Sequence, residues 1–283
     1  MHIIRKRAMK EGIRMKEIDL GISGTQRLKV DDIKAVYAEM LAPLKDQMGT
    51  GEDGLTSMPF MKGKNFIRNT YNGKPFRILF VGRAVNGWEI EFKAGSVEEM
   101  VNQIFDSAID METIGKGKVF DSEGKEIYNY NKSPFFQLCH ALMELFGFEE
   151  DWLEYMAWTN LYKVSPYKKG NPDNKLIREI LPSCASILRR EISHLRPTHI
   201  VFITGDWWYK PEGKDMNERA FVNETGIDLY EDTSQIIIGG GISEAFFFRP
   251  NIVITKRPEG ANCTREEQAK AIFDAFAENE KYR

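Results

Sequence analysis

Four short apolar runs constrain this chain more than any other feature of its sequence. They lie at 77–81, 155–161, 198–205 and 251–255, and read Arg77-Ile78-Leu79-Phe80-Val81, Tyr155-Met156-Ala157-Trp158-Thr159-Asn160-Leu161, Thr198-His199-Ile200-Val201-Phe202-Ile203-Thr204-Gly205 and Asn251-Ile252-Val253-Ile254-Thr255. Each is strand length and apolar at successive positions, the pattern of a strand buried on both faces rather than one. The intervening segments have helical spacing. Val97, Met100, Val101, Ile104 and Phe105 share a face behind Ser96 as N-cap, which predicts a helix over 97–110. Ser133-Pro134 opens a second helix that runs to Gly147. Leu176, Ile177, Ile180, Leu181, Cys184, Ile187 and Leu188 give a third over 174–195, with Pro182 placed to kink or split it. Thr264-Arg265-Glu266-Glu267 is a capping box before a final helix whose buried face is Ala269, Ile272, Phe273 and Phe276. Apolar strands alternating with helices specify an α/β fold, with a parallel sheet covered by helices on both faces.

The rest of the chain is less regular. Ile33, Val36, Tyr37, Met40, Leu41 and Leu44 predict an amphipathic helix over 31–48, bent or shortened at Pro43. Residues 49–75 read as irregular, and 111–131 as a loop or hairpin. Residues 206–250 read as an insert, with a hairpin pairing Ile236-Ile237-Ile238 with Phe246-Phe247-Phe248. The organisation expected is an extension over 1–75 followed by an α/β domain over 76–283.

Composition narrows the function classes. With 39 basic and 42 acidic side chains the net charge is −3, which excludes a globally basic nucleic-acid binder but not a local basic cleft. Six basic residues (Arg5, Lys6, Arg7, Lys10, Arg14, Lys16) face one acid, Glu11, in residues 1–16, and read as a solvated arm or a phosphate-contacting tail. The basic N-terminus leads into no apolar segment of the signal-peptide kind, and no apolar run approaches a membrane span. Three scattered cysteines (Cys139, Cys184, Cys263) argue against a disulfide framework, and no CxxC pair suggests a zinc site. His2, His140, His194 and His199 lack ligand spacing and read as structural or surface residues. The expectation is a cytoplasmic protein with no membrane partner and no cofactor.

In a parallel sheet of this kind, ligands bind beyond the carboxyl ends of the strands. The first end is Gly82-Arg83-Ala84-Val85-Asn86-Gly87-Trp88-Glu89, suited to a tight loop whose backbone approaches a ligand, or to an ordinary strand-to-helix turn. It matches neither GxGxxG nor a P-loop. The second end carries Asn160, whose amide offers the donor and acceptor that suit a nucleobase edge, or that satisfy local backbone. Lys163, Lys168 and Lys169 follow, as cations beside such a pocket or a solvated loop. Phe135 and Phe136 open the helix after Pro134, placed for stacking on a flat ring or for core packing. Trp207-Trp208-Tyr209 cannot all face the core. The last end, Lys256-Arg257-Pro258, offers a cationic pair suited to a phosphate or a developing anion, or forms a surface turn.

Taken together, these motifs resemble the uracil-DNA glycosylase superfamily, most closely its bacterial and archaeal iron–sulfur branch. The resemblance rests on Thr159-Asn160, the basic loop from Lys163 to Pro166, Gly170-Asn171-Pro172, Cys184-Ala185-Ser186-Ile187-Leu188, Arg196-Pro197 and the strand from Ile200 to Gly205. Val81-Gly82-Arg83-Ala84 is similar to the family's first motif, Pro134-Phe135 to its stacking Pro-Phe, and Thr255-Lys256-Arg257-Pro258 to its last motif. Asn86-Gly87-Trp88 also resembles a divergent bacterial and phage offshoot. The likeness spans about 76–280 and is most specific between 155 and 205.

The resemblance implies a three-layer α/β/α sandwich around a four-stranded parallel sheet, and hydrolysis of the N-glycosidic bond of a flipped-out base. On that reading Asn160 reads the base, Phe135 stacks on it, Gly82 and Gly87 shape the pocket, and Arg83, Lys163 and Lys256 contact substrate. Arg257 then sits over the leaving oxygen, while Asn86 or Glu89 positions water. Several positions depart from the family: Arg83 replaces its acid, Val85 its proline and Arg257 its histidine. Of its cluster ligands Cys184 alone remains, so no iron–sulfur cluster is expected. The implied partner is nucleic acid, DNA before RNA, or a nucleotide, bound by a monomer. A catalytically silent nucleic-acid or nucleobase-binding protein on the same scaffold is the alternative.

Overall fold

A computed structural model of the chain describes residues 28–49, 53–85, 92, 95–107, 111, 118–120, 126–168, 170–211 and 219–283. Its centre is a six-stranded sheet of β1 (Met61–Lys62), β2 (Ile78–Ala84), β3 (Met156–Tyr162), β4 (His199–Ile203), β5 (Ile237–Ile242) and β6 (Asn251–Thr255), in the order β5-β6-β4-β2-β3-β1. The pairs β6–β4, β4–β2 and β2–β3 are parallel, and the edge strands β5 and β1 run antiparallel to their neighbours. The sheet is therefore mixed and wider than the expected four strands.

Alternation along each strand sends side chains to opposite faces. Leu79, Val81, Ala157, Ile200, Phe202, Ile252 and Ile254 join one apolar cluster, and Ile78, Phe80, Met156, Trp158, Val201, Ile203 and Val253 join the other. Both sets are buried, which is why the strands read as continuous apolar runs. Helices α1 (Val30–Leu41), α2 (Val97–Asp106) and α4 (Asn174–Leu195) pack on the first face. Helices α3 (Pro134–Leu145) and α5 (Arg265–Glu280) pack on the second.

Most helix signals act locally as expected, although Ser133 at the start of α3 makes no side-chain cap hydrogen bond. Ser96 and Glu99 close a capping box at α2, as do Thr264 and Glu267 at α5. Pro134 occupies the first turn of α3, where its missing N–H costs nothing. Helix α4 remains one element across Pro182. Helix α1 ends at Leu41 and passes into a 3-10 turn, Ala42–Gln47, that accommodates Pro43.

Tertiary pairing changes two expectations. The partner of the 236–238 segment is β6 itself: Ile237 aligns with Thr255 and Ile242 with Asn251, while 246–248 forms a turn outside the sheet. Within 49–75, Leu55–Ser57 pairs antiparallel with Val164–Pro166, and β1 closes the sheet edge on β3. Residues of α1 lie in the same apolar cluster as α4, so this part of the N-terminal region is built into the α/β core. The 111–131 segment contains an antiparallel hairpin of Lys118–Phe120 with Glu126–Asn129. No helix among the described residues is long and apolar enough to cross a membrane.

Candidate functional site

Strand register brings the carboxyl ends together. Gly82 lies opposite Asn160 on the neighbouring strand, Val81 opposite Phe202, and Ile203 opposite Thr255. The Gly205 N–H donates to the Thr255 carbonyl at 3.1 Å, so the ends of β4 and β6 stay joined as the strands finish.

The tightest arrangement joins Gly82, Asn160 and Phe135. A Cβ on Gly82 would fall 2.4 Å from Asn160 Oδ1 and 3.5 Å from Phe135 Cε2. The missing side chain is thus the space into which the Asn160 amide lies, with the Phe135 ring alongside. Asn160 is 4% exposed, and its amide makes no side-chain hydrogen bond to a described residue. Phe135 is held at the start of α3 by edge-to-face packing on Phe136 at 5.2 Å and by Trp158 at 5.8 Å, so its position is fixed by the core.

A cationic edge adjoins this slot. Arg83 follows Gly82 on β2, and its guanidinium carbon lies 4.8 Å from the centroid of the Trp208 ring. Burial is the main cause that draws the Arg83 pKa down to about 10; the positive charge of Arg257 adds to it, and Glu259 opposes it. Arg257 follows β6, pairs with Glu259 at 3.0 Å and packs its Cγ beside Gly205. The three aromatics after β4 divide by depth: Tyr209 is fully buried, Trp208 partly so, and Trp207 is exposed.

Two lysines lie elsewhere than expected. Lys163 is 0% exposed, and its ammonium turns back into the protein, donating to Thr159 Oγ1 at 2.6 Å and Glu191 Oε2 at 2.7 Å. With its charge matched inside the core and none of it exposed, it is not placed for the expected substrate contact. Lys256 donates to the Ser234 carbonyl at 2.7 Å, which directs it toward the segment before β5. Asn86, Gly87 and Glu89 lie outside the described residues, as do Lys169 and the basic arm at 1–16.

Sequence reasoning missed Glu191, a fully buried carboxylate on α4. It accepts from Thr159 Oγ1 at 2.8 Å, and the Tyr37 hydroxyl lies 3.4 Å away while donating to the Met58 carbonyl at 3.0 Å. Burial first, and then the Glu191 charge, push the Tyr37 pKa far up. The signal available was a lone acid at an apolar-face position of α4, one turn after Ile187 and Leu188. Thr159 and Lys163 flank Asn160, so this network fixes the strand segment that presents the amide.

The cysteines occupy separate elements. Burial pushes the Cys184 thiol up to about 12, and Cys139 is likewise raised by burial. His194 Nδ1 lies 2.7 Å from the Leu28 carbonyl, His199 sits among Phe76, Phe146 and Phe276, and His140 packs on Trp152. Among the described residues no three or more His, Cys, Asp or Glu side chains gather as a metal site. No family model matches the chain, and no curated protein matches it.

Proposed function

We propose that the cleft receives a base flipped out of DNA and hydrolyses the bond between that base and its sugar, as a divergent protein of uracil-DNA glycosylase type. The observation that carries this reading is the Asn160 amide, on a residue 4% exposed and without a side-chain hydrogen bond to a described residue, lying across Gly82 beside the Phe135 ring. An amide presents one acceptor and two donors, and the edge of a nucleobase presents complementary groups in one plane. The Phe135 ring supplies an apolar surface for the face of the base. Helices on both faces of the four mutually parallel strands support a three-layer scaffold of the same type.

The chemistry follows from charge. Water adds to the anomeric carbon, the bond from that carbon to the base nitrogen breaks, and the electron pair leaves with the base. Arg257, at the end of β6, supplies positive charge for the departing anion. Asn86 or Glu89 orients the water on this reading, and Glu89 takes its proton. One observation favours recognition without cleavage: the position that resembles the family's histidine holds a guanidinium tied to Glu259, and a guanidinium cannot act as a general base.

A single-turnover base-release assay tests the proposal. Its substrates are single- and double-stranded DNA carrying uracil, mismatched thymine, or deaminated and oxidised bases. Release that is lost in Asn160→Ala is the expected result. Binding without release on every substrate selects the recognition reading. Binding and release that Asn160→Ala leaves untouched overturn the assignment of the pocket.

A further inference from the structure

We infer that Arg83, stacked on Trp208, forms a phosphate subsite next to the base slot, so that the ligand is recognised as a nucleotide unit rather than as a base alone. The inference rests on the proposed base pocket for its second half only. The anion site itself stands on the geometry of Arg83, Trp208 and Arg257.

Three observations carry it. First, Arg83 makes no hydrogen bond or ion pair with a described residue, although burial is enough to perturb it. Its donors form a planar fork that matches two oxygens of a phosphate. Second, the Trp208 ring holds the guanidinium from one side at 4.8 Å. Trp208 is itself held against Tyr162, at 5.4 Å between ring centroids, so the platform belongs to the core. A contact over the ring face attracts the cation without using its N–H groups as hydrogen-bond donors. Third, the nearby charge is positive: Arg257 acts on Arg83 more strongly than Glu259 does, and Glu259 is already paired with Arg257. With Glu259 paired to Arg257, the two guanidinium groups have one carboxylate between them, a local excess of positive charge that an anion would relieve.

The placement suits a nucleotide. Gly82 and Arg83 are successive residues of β2, so they address opposite faces of the sheet across one strand end. Gly82 opens the slot on the Phe135 side, and Arg83 reaches Trp208 on the other. A base on one side and its phosphate on the other would straddle the strand end, with the sugar between them. The shared chemistry is a phosphate oxygen pair, carried either by a free nucleoside 5′-monophosphate or by a phosphodiester of DNA.

Calorimetric titration of the full chain separates these cases. The probes are inorganic phosphate, pyrophosphate, a panel of deoxynucleosides, their 5′-monophosphates and a short single-stranded oligonucleotide. The variants are Arg83→Gln, Arg83→Lys, Trp208→Leu and Asn160→Ala, each checked for an unchanged melting profile. The expected result is a phosphate-bearing probe that binds wild type at least about tenfold more tightly than its phosphate-free counterpart. That advantage disappears in Arg83→Gln, and Arg83→Lys, which keeps the charge but not the fork, restores it only in part. Tight binding of the monophosphate identifies a free nucleotide. Binding of the oligonucleotide alone, with a salt slope about one unit shallower in Arg83→Gln, identifies a DNA phosphodiester. Pyrophosphate binding that depends on Arg83 but not on Asn160, with no preference for any base, upholds the anion subsite and removes the base pocket. Affinities unchanged in Arg83→Gln, or no phosphate-bearing probe bound, overturn the subsite.

Discussion

Replacing Glu191 by leucine removes one half of an ion pair whose two side chains are both 0% exposed. The Lys163 ammonium would keep only the Thr159 hydroxyl, at 2.6 Å, of the two oxygens that now receive it. At the observed 2.7 Å separation and an effective dielectric of about 20, the gross attraction is about 6 kcal/mol. Desolvation of the two ions offsets much of this, so the pair contributes little net stability. The single change differs, because it strands a charge in the core and costs about 3–5 kcal/mol. Thr159 and Tyr37 lose an acceptor in the same step, which places the expected cost toward the upper end of that range. This is a large fraction of the 5–15 kcal/mol typical of a native domain. Urea unfolding at fixed pH measures it as a fall in the midpoint. The diagnostic companion is the double variant Lys163→Met/Glu191→Leu, in which no charge is stranded. It should recover to within about 2 kcal/mol of wild type, because an apolar pair of similar volume replaces the ions. A single variant that loses less than about 1 kcal/mol, or a double variant no better than the single, would refute the reasoning that Lys163 is a buried, compensated charge.

Gly82→Ala places a methyl group 2.4 Å from Asn160 Oδ1, the end of a side chain that can swing away. The chain should melt within a few degrees of wild type yet bind its base-bearing ligand at least about tenfold more weakly; a fully retained affinity would separate the slot from function. Gly63→Ala is the contrasting case, since its Cβ would meet the Glu154 and Leu153 carbonyl oxygens at 2.2 and 2.4 Å. Backbone cannot yield so cheaply, and a loss of about 2 kcal/mol is expected in urea unfolding. Burial draws the His199 pKa from 6.5 to about 4, with Glu280 opposing and Arg283 adding a smaller push. Below pH 6.5 the unfolded chain takes up a proton that the folded chain resists, so stability falls from about pH 6.5 down to about pH 4, by about 3 kcal/mol. His199→Phe, which suits the surrounding phenylalanines, should flatten that slope; an unchanged pH profile would show that His199 does not carry it.

Local physics made much of the fold readable. Helix starts at Ser96 and Thr264 are set by side chains three residues from the backbone N–H they satisfy, and the start at Pro134 by a ring whose fixed φ suits the first turn, so the chain announces them without tertiary help. The four parallel strands were readable because burial on both faces leaves no polar alternation, and that demand is written residue by residue. The same reading located the strand ends where Gly82, Asn160 and Arg257 stand.

Other features depended on pairings between residues far apart in the chain. An edge strand of two residues, Met61–Lys62, is too short to carry a periodic signal and exists because β3 offers it a free edge. The apolar triplet Ile236-Ile237-Ile238 marks only the start of β5 and not its partner, since a triplet such as Phe246-Phe247-Phe248 has the composition of a strand whether or not an edge is open to it. Lys163 looked like a cleft cation because sequence places charge along the chain and not in depth. Its neutralising partner, Glu191, lies 28 residues away on α4 and meets it only after the helix packs on the sheet. The sequence by itself determined which segments become strands and helices and which residue types stand at the strand ends. The tertiary structure alone decided which of those residues adjoin one another and which spend their charge in the core, because burial and ion pairing depend on distances that exist only once the layers have packed.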